Sequence, residues 1–197
     1  TWTNDKRDSL IYTTSGSLQR AYAEVGLPGA DLKFYKLNYQ HQKFFPLTKE
    51  ITLMLNGEFG LGDGYSGETL PFFRNFYAGG MGSVRGFKSG SLGPKDVYPN
   101  EENALGGNRR LVGNAEFLMP VPGFGLDKSF RFGGFFDAGY VWATGENMRL
   151  SDLRYSVGVS VAWASPFGPL KVSVAQPLNK KSGDQIERFQ FQMGTSF

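Results

Sequence analysis

Hydrophobic and polar residues alternate with a period of two along most of the chain, and helical periodicity is nearly absent. The C-terminal stretch is the clearest case. Phe189, Phe191, Met193, Thr195 and Phe197 fall on one face, and Gln190, Gln192, Gly194 and Ser196 fall on the other. Leu153–Trp163 repeats the scheme, with Tyr155, Val157, Val159, Val161 and Trp163 opposite Arg154, Ser156, Gly158, Ser160 and Ala162. In Phe130–Trp142 the apolar set is Phe130, Phe132, Phe136, Ala138, Tyr140 and Trp142, and Ile51–Leu61 sets Ile51, Leu53, Leu55 and Phe59 against Thr52, Asn56, Glu58 and Gly60. With Ser17–Val25, Asp31–Phe45, Asn108–Met119, Gly168–Gln176 and Arg188–Phe197, the pattern predicts an all-β, antiparallel fold of eight strands, and Thr1–Asn4 reads as the stub of a ninth.

The strands, about 9–15 residues long, exceed the roughly 5–6 usual in soluble sheets and fit the roughly 9–11 needed to cross a bilayer at a tilt. Their connections alternate in character. Ser15-Gly16, Phe45–Thr48, Pro120–Gly123 and Ser165–Pro169 are short or proline-bearing, whereas Gly26–Ala30, Thr144–Ser151, Leu178–Gln185 and a long segment from about Leu61 to Gly107 are longer and more polar. Short turns on one side and long loops on the other are the pattern of an outer-membrane barrel. A soluble barrel alternates in the same way with its apolar face inside. The polar set separates the two, because it is mostly Ser, Gly, Gln and Asn rather than the Lys and Glu of a solvent-exposed face. The pattern therefore predicts an antiparallel transmembrane β-barrel, with Trp142 and Trp163 near strand ends as an aromatic girdle.

Composition then narrows the chemistry. The 21 basic and 18 acidic residues leave a net charge of only +3, which gives no nucleic-acid signature. With no cysteine and one histidine, His41, most metal and triad chemistry is removed, and no cofactor is expected. No apolar run approaches the 18 or more residues of a spanning helix. Thr1–Arg7 lacks the apolar stretch of a signal peptide, so either targeting was removed or the chain is a piece of a longer one, the reading favoured here.

The long segment from Leu61 to Gly107 far exceeds the roughly 4–6 residues usual between elements. It is either a mobile surface loop or a functional one that folds inward. Its middle, Phe76–Phe87, is rich in glycine and carries one arginine, Arg85, among aromatics. Parity places Glu116 and Asp137, on successive strands, on the inner face, and buried carboxylates need a cation. Arg85 is the candidate, since a guanidinium can bind two carboxylates at once. The enzymatic alternative, Glu116 and Asp137 as an acid and base pair, lacks a nucleophile and pocket partners.

Val84-Arg85-Gly86-Phe87, with Phe76–Gly80 before it and Leu92–Pro94 after, resembles the lumen-inserted loop of the BamA family, the outer-membrane-protein assembly factors of Gram-negative bacteria. Phe135–Trp142, Trp163–Leu170 and Arg188–Phe197 are similar to that family in register, so the likeness covers the whole chain. It implies the C-terminal half of a sixteen-stranded barrel in the outer membrane, preceded in the family by periplasmic POTRA domains. It also implies a non-enzymatic insertase working on unfolded outer-membrane proteins among outer-membrane lipids, with accessory lipoproteins bound through upstream domains. Arg85 would meet Glu116 and Asp137, while Phe189, Phe191, Met193, Gly194 and Phe197 would form the last-strand signal and gate. The four-residue motif is shared with secretion transporters, so a transporter or plugged pore is the alternative.

Eight strands could close on themselves if Ser17–Val25 paired with the last strand. An eight-stranded barrel holds little more than its own side chains, so closure predicts that the Arg85 loop is expelled. The alternatives are two copies joined, or a portion of a larger barrel.

Overall fold

In the computed structural model, residues 1–10, 12–27, 32–98, 101–121, 129–166 and 168–194 are described. Alternation produces β1 (Trp2–Asp5), β2 (Gly16–Val25), β3 (Phe34–Pro46) and β4 (Thr52–Gly64). The long connection holds a 3₁₀ turn at Phe72–Arg74 and three short strands, β5 (Gly86–Phe87), β6 (Lys95–Tyr98) and β7 (Glu101–Ala104). The wall resumes with β8 (Arg109–Pro120), β9 (Phe130–Trp142), β10 (Arg154–Ser165) and β11 (Gly168–Pro177), then β12 (Ile186–Glu187) and β13 (Phe189–Met193). Nine of these form one antiparallel sheet in the order β1-β2-β3-β4-β8-β9-β10-β11-β13. The expected eight strands and the stub are all present, each beside its neighbour in sequence.

Several boundaries differ from the sequence pattern for identifiable reasons. β4 continues to Gly64 because Phe34–Leu37 of β3 offer it partners, so the long connection starts later than Leu61. β3 begins at Phe34, and Asp31 lies outside the described residues. The Ser15-Gly16 turn is the end of a longer connection spanning residues 6–15, in which the Asp8 carboxylate accepts hydrogen bonds from the Thr14 and Ser15 amides. The last strand begins at Phe189 because Ile186–Glu187 before it turns inward to pair with β5.

Burial gives each face its character. Leu37, Tyr39, Phe59, Phe117, Phe136, Val159 and Val174 are exposed outward, whereas Gln42, Glu116, Asp137, Ser156, Ser160, Ser173 and Gln190 are buried on the opposite face. A soluble barrel has the reverse arrangement. Trp163 stacks on Phe130 at a centroid distance of 5.3 Å and stays partly exposed, as a girdle residue should. Trp142 departs from that expectation. It is 1% exposed, edge-on to Tyr140, and donates its indole N–H to Asp152 at 3.4 Å, so the Leu150–Asp152 turn covers it.

Of the alternatives, closure with an expelled loop does not occur, and the open sheet fits a portion of a larger barrel. β2 takes β1 as its outer neighbour, and β1 and β13 stand at opposite edges of an open sheet. The sheet still curls, because the Tyr12 hydroxyl donates to the Ser129 carbonyl at 2.5 Å and accepts from the Ala164 amide at 3.2 Å, linking the β1–β2 connection to β9 and β10. A flat sheet with strands about 4.8 Å apart would hold those groups far from each other. An open, curled wall leaves its concave face wide enough for the loop, which an eight-stranded cylinder would not.

The two faces should respond differently to charge. Val159→Arg, outward at mid-strand of β10, is expected to cost about 2–4 kcal/mol, whereas Gln40→Lys on the lumenal face of β3 should cost far less. Urea unfolding of the full-length barrel in lipid vesicles, read by heat-modifiable gel mobility, measures both; equal losses would contradict the assignment of faces.

Candidate functional site

The long connection does not project away from the wall. Phe76 and Gly107 exchange backbone hydrogen bonds of 2.7 and 3.0 Å, and the Leu92 amide donates to the Ala78 carbonyl at 3.0 Å, which pinches the base of the loop. Between them Phe76, Ala78, Val84, Phe87 and Leu92 pack on Val112 of β8 and Val141 of β9, forming a small apolar core on the concave face. Glycine is required where loop and wall touch. A Cβ on Gly139 of β9 would lie 2.8 Å from a Val84 methyl and 2.9 Å from the Leu111 carbonyl oxygen. Gly86 has φ of +89°, and its Cβ would lie 3.0 Å from that of Ala175.

This seating delivers Arg85 to the wall. Its Nε and Nη2 donate to the two oxygens of Asp137 at 2.7 and 2.8 Å, and its backbone N–H donates to Asp137 Oδ2 at 3.0 Å. Nη1 lies 3.2 Å from Glu116 Oε1, and the guanidinium carbon sits 3.4 Å from the ring centroid of Phe135, a cation–π contact. Arg85, Glu116 and Asp137 are 3%, 1% and 0% exposed. Burial disfavours the charged guanidinium, yet the hydrogen bonds to Asp137 and the charge of Glu116 prevail and hold its pKa above the ordinary value.

The two carboxylates are held unequally. Asp137 takes the bidentate face of Arg85 and the Asn114 side chain at 2.8 Å. Glu116 receives the Ser160 hydroxyl at 2.5 Å and Lys171 Nζ at 3.0 Å on its second oxygen. Two cations and two carboxylates thus make a neutral buried cluster spread over the loop, β8, β9 and β11. An amide ladder extends it across the sheet: Gln40 donates to Asn56, Asn56 to Asn114, and Asn114 to Asp137, each at 2.8–2.9 Å.

The sequence reading brought Glu116 and Asp137 to Arg85 but missed Lys171, Ser160, Asn114 and Gln190. Parity carried part of that signal, since Lys171 lies between the apolar Leu170 and Val172. The curl of the wall that brings Lys171 of β11 to Glu116 of β8, with β9 and β10 between them, was not in the pattern. At the far edge Phe189, Phe191 and Met193 are exposed on the outward face, and Gly194 follows with φ of +114°; Phe197 lies outside the described residues. His41 is on the outward side of β3, opposite Gln19 and Gly57. No group of three or more potential metal ligands occurs among the described residues.

Comparison with known proteins places this geometry. The chain matches the Omp85 superfamily domain over residues 1–197. It is 44% identical to the outer membrane protein assembly factor BamA of Neisseria meningitidis, over 100% of this chain and 28% of that protein. It is 30% identical to the sorting and assembly machinery component 50 homolog A of Xenopus laevis, over 98% of this chain and 44% of that one. The crystal structure of BamA from Haemophilus ducreyi lacking POTRA domains 1-3 superposes with a TM-score of 0.88 at 31% identity, over 96% of this chain and 40% of that chain. The chain therefore spans less than half the length of these relatives. Matched from end to end by one domain, and folded like the wall of a crystallised BamA barrel, this chain belongs to the Omp85 superfamily as a portion of its outer-membrane β-barrel.

Proposed function

We propose that the chain forms the C-terminal part of the barrel of a non-enzymatic insertase, which folds β-barrel proteins into the outer membrane of a Gram-negative bacterium. It acts as one barrel domain with the Arg85 loop entering from the extracellular side. The observation that carries this reading is the contrast between a fixed loop and a weak edge. β13 is held to β11 by five paired residues, Leu170–Val174 with Phe189–Met193, and by one backbone hydrogen bond at each end, from the Ala175 amide to the Arg188 carbonyl and from the Gly194 amide to the Pro169 carbonyl, whereas β10 and β11 share ten paired residues. One edge of β13 has no partner strand among the described residues, and Gly194, with φ of +114°, offers no side chain to pack. An unfolded outer-membrane protein can add a strand there by β-augmentation, its backbone groups pairing with that edge. Outward aromatics keep the same strand among outer-membrane lipids, and accessory lipoproteins would bind through upstream domains.

Both carboxylates of the lumenal cluster are committed to cations, so they anchor the loop and do not shuttle protons. The names of the relatives favour assembly over secretion, and the count of POTRA repeats upstream separates the two.

Two outcomes follow in the full-length protein. Arg85→Ala leaves Asp137 buried without a cation while Glu116 keeps Lys171. The expected destabilisation is about 3–5 kcal/mol where the site is dry and less where water enters, with new protease cleavage between Gly79 and Gly90. Unchanged heat-modifiable mobility and an intact loop would count against the anchor. Phe189→Asp with Phe191→Asp places acid on the lipid face of the last strand and should lower client-barrel insertion into liposomes severalfold; insertion at the normal rate would refute the role given to β13.

A further inference from the structure

The tip of the Arg85 loop is bonded to the last strand as well as to the wall, and a side chain makes that bond. Gln190, buried on the lumenal face of β13, accepts the Gly86 N–H on Oε1 at 3.3 Å and donates Nε2 to the Phe87 carbonyl at 2.8 Å. Nε2 also lies 3.3 Å from Glu187 Oε2. Its amide thus does what a peptide group does. It continues onto β13 the two-residue ladder in which Ile186 and Glu187 pair with Phe87 and Gly86, a ladder that the Lys88 amide extends to the Gln185 carbonyl at 2.9 Å. Arg85, one residue before Gly86, is fixed to Asp137 on β9.

We infer that Gln190 is a positioning residue that couples the opening of the edge strand to the seating of the Arg85 loop, so that β13 cannot leave β11 without pulling on the ion cluster at Asp137. The inference rests on the reading of β13 as a movable edge, and it adds what restrains the movement. Backbone pairing holds β13 at the rim of the sheet by five residues and one further hydrogen bond at each end. With Gln190 engaged, peeling that strand outward also breaks two buried hydrogen bonds or drags Gly86 away from Ala175. The restraint acts from the lumen and leaves the outer edge of β13 free for a client strand. Coupling is reciprocal: unseating the loop must loosen the strand, and fixing the strand must steady the loop.

Hydrogen exchange in the full-length protein in lipid nanodiscs reads this without any client protein, so its outcome is independent of the insertion assay. The amides to follow are Arg85, bonded to Asp137, and Lys88, bonded to Gln185, because neither N–H is itself bonded to Gln190. Gln190→Met keeps the length of the side chain and removes its amide. It is expected to speed exchange about tenfold, the size of one or two buried hydrogen bonds, at Arg85 and Lys88 as well as in Phe189–Met193. The chain contains no cysteine, so a disulfide introduced at the paired positions Val174 and Phe189 can lock the strand in place. The lock should slow exchange at Arg85 and Lys88 several-fold when Gln190 is present and have no effect on them in the Gln190→Met background. A lock that leaves the loop amides unchanged, or slows them equally with and without Gln190, would overturn the proposal, as would faster exchange confined to the strand in Gln190→Met.

Discussion

Four ionisable groups, removed from water on the concave face of a sheet whose other face meets lipid, must balance one another, and the arrangement of the wall and loop follows from that requirement. Glu116 and Asp137 enter the lumen because strand parity gives them no alternative. One cation, Lys171, comes from the wall itself. The other comes from a loop far away in sequence, so neutrality is reached only when the loop folds inward. A buried pair contributes little net stability relative to apolar residues of the same shape, but breaking one is costly. This asymmetry makes the cluster a device for placement: the loop is held where it is because every other position leaves Asp137 uncompensated.

The small residues around the cluster serve the same end. Gly139 lets Val84 approach the wall, and Gly133 leaves room for the Glu116 and Ser160 oxygens, which a Cβ would meet at 2.6 and 2.7 Å. Phe135 covers the guanidinium from one side. At the long-loop end of the wall a second buried ion pair, Arg154 with Asp184 at 2.6 Å, ties the segment before the last strand to β10. The segment Leu178–Arg188 is thus held at several points while β13 itself is held by few residues. Buried ionic contacts are concentrated in the lumen, whereas β13 has a partner strand on one side only among the described residues.

Much of this was legible in the sequence because period-two alternation reports on faces directly. Strand number, the membrane-barrel class, the inward direction of Glu116 and Asp137 and the choice of Arg85 as their cation all came from parity and charge. What parity does not carry is register between strands and the path of a loop. Asn114 reaches Asp137 as its cross-strand partner, and Ser160 and Lys171 reach Glu116 over the intervening strands of the curled wall, neither of which alternation specifies. Trp142 has outward parity, yet a turn in the connection that follows it, Leu150–Asp152, buries it. Closure into a small barrel was a strand-count argument, and it failed because β1 occupies the edge that closure would need.

The most direct test of the central claim is a double-mutant cycle across the ion pair in the full-length barrel, with Arg85→Gln, Asp137→Asn and the two combined, followed by unfolding in lipid. Each single change leaves one charge without its partner, and the combined change leaves neither. If charge balance seats the loop, the double variant will be more stable than the sum of the two losses predicts, by about 1–3 kcal/mol, and its loop will regain protease resistance relative to either single variant. Strictly additive losses, with the loop equally protected in all four proteins, would contradict the account.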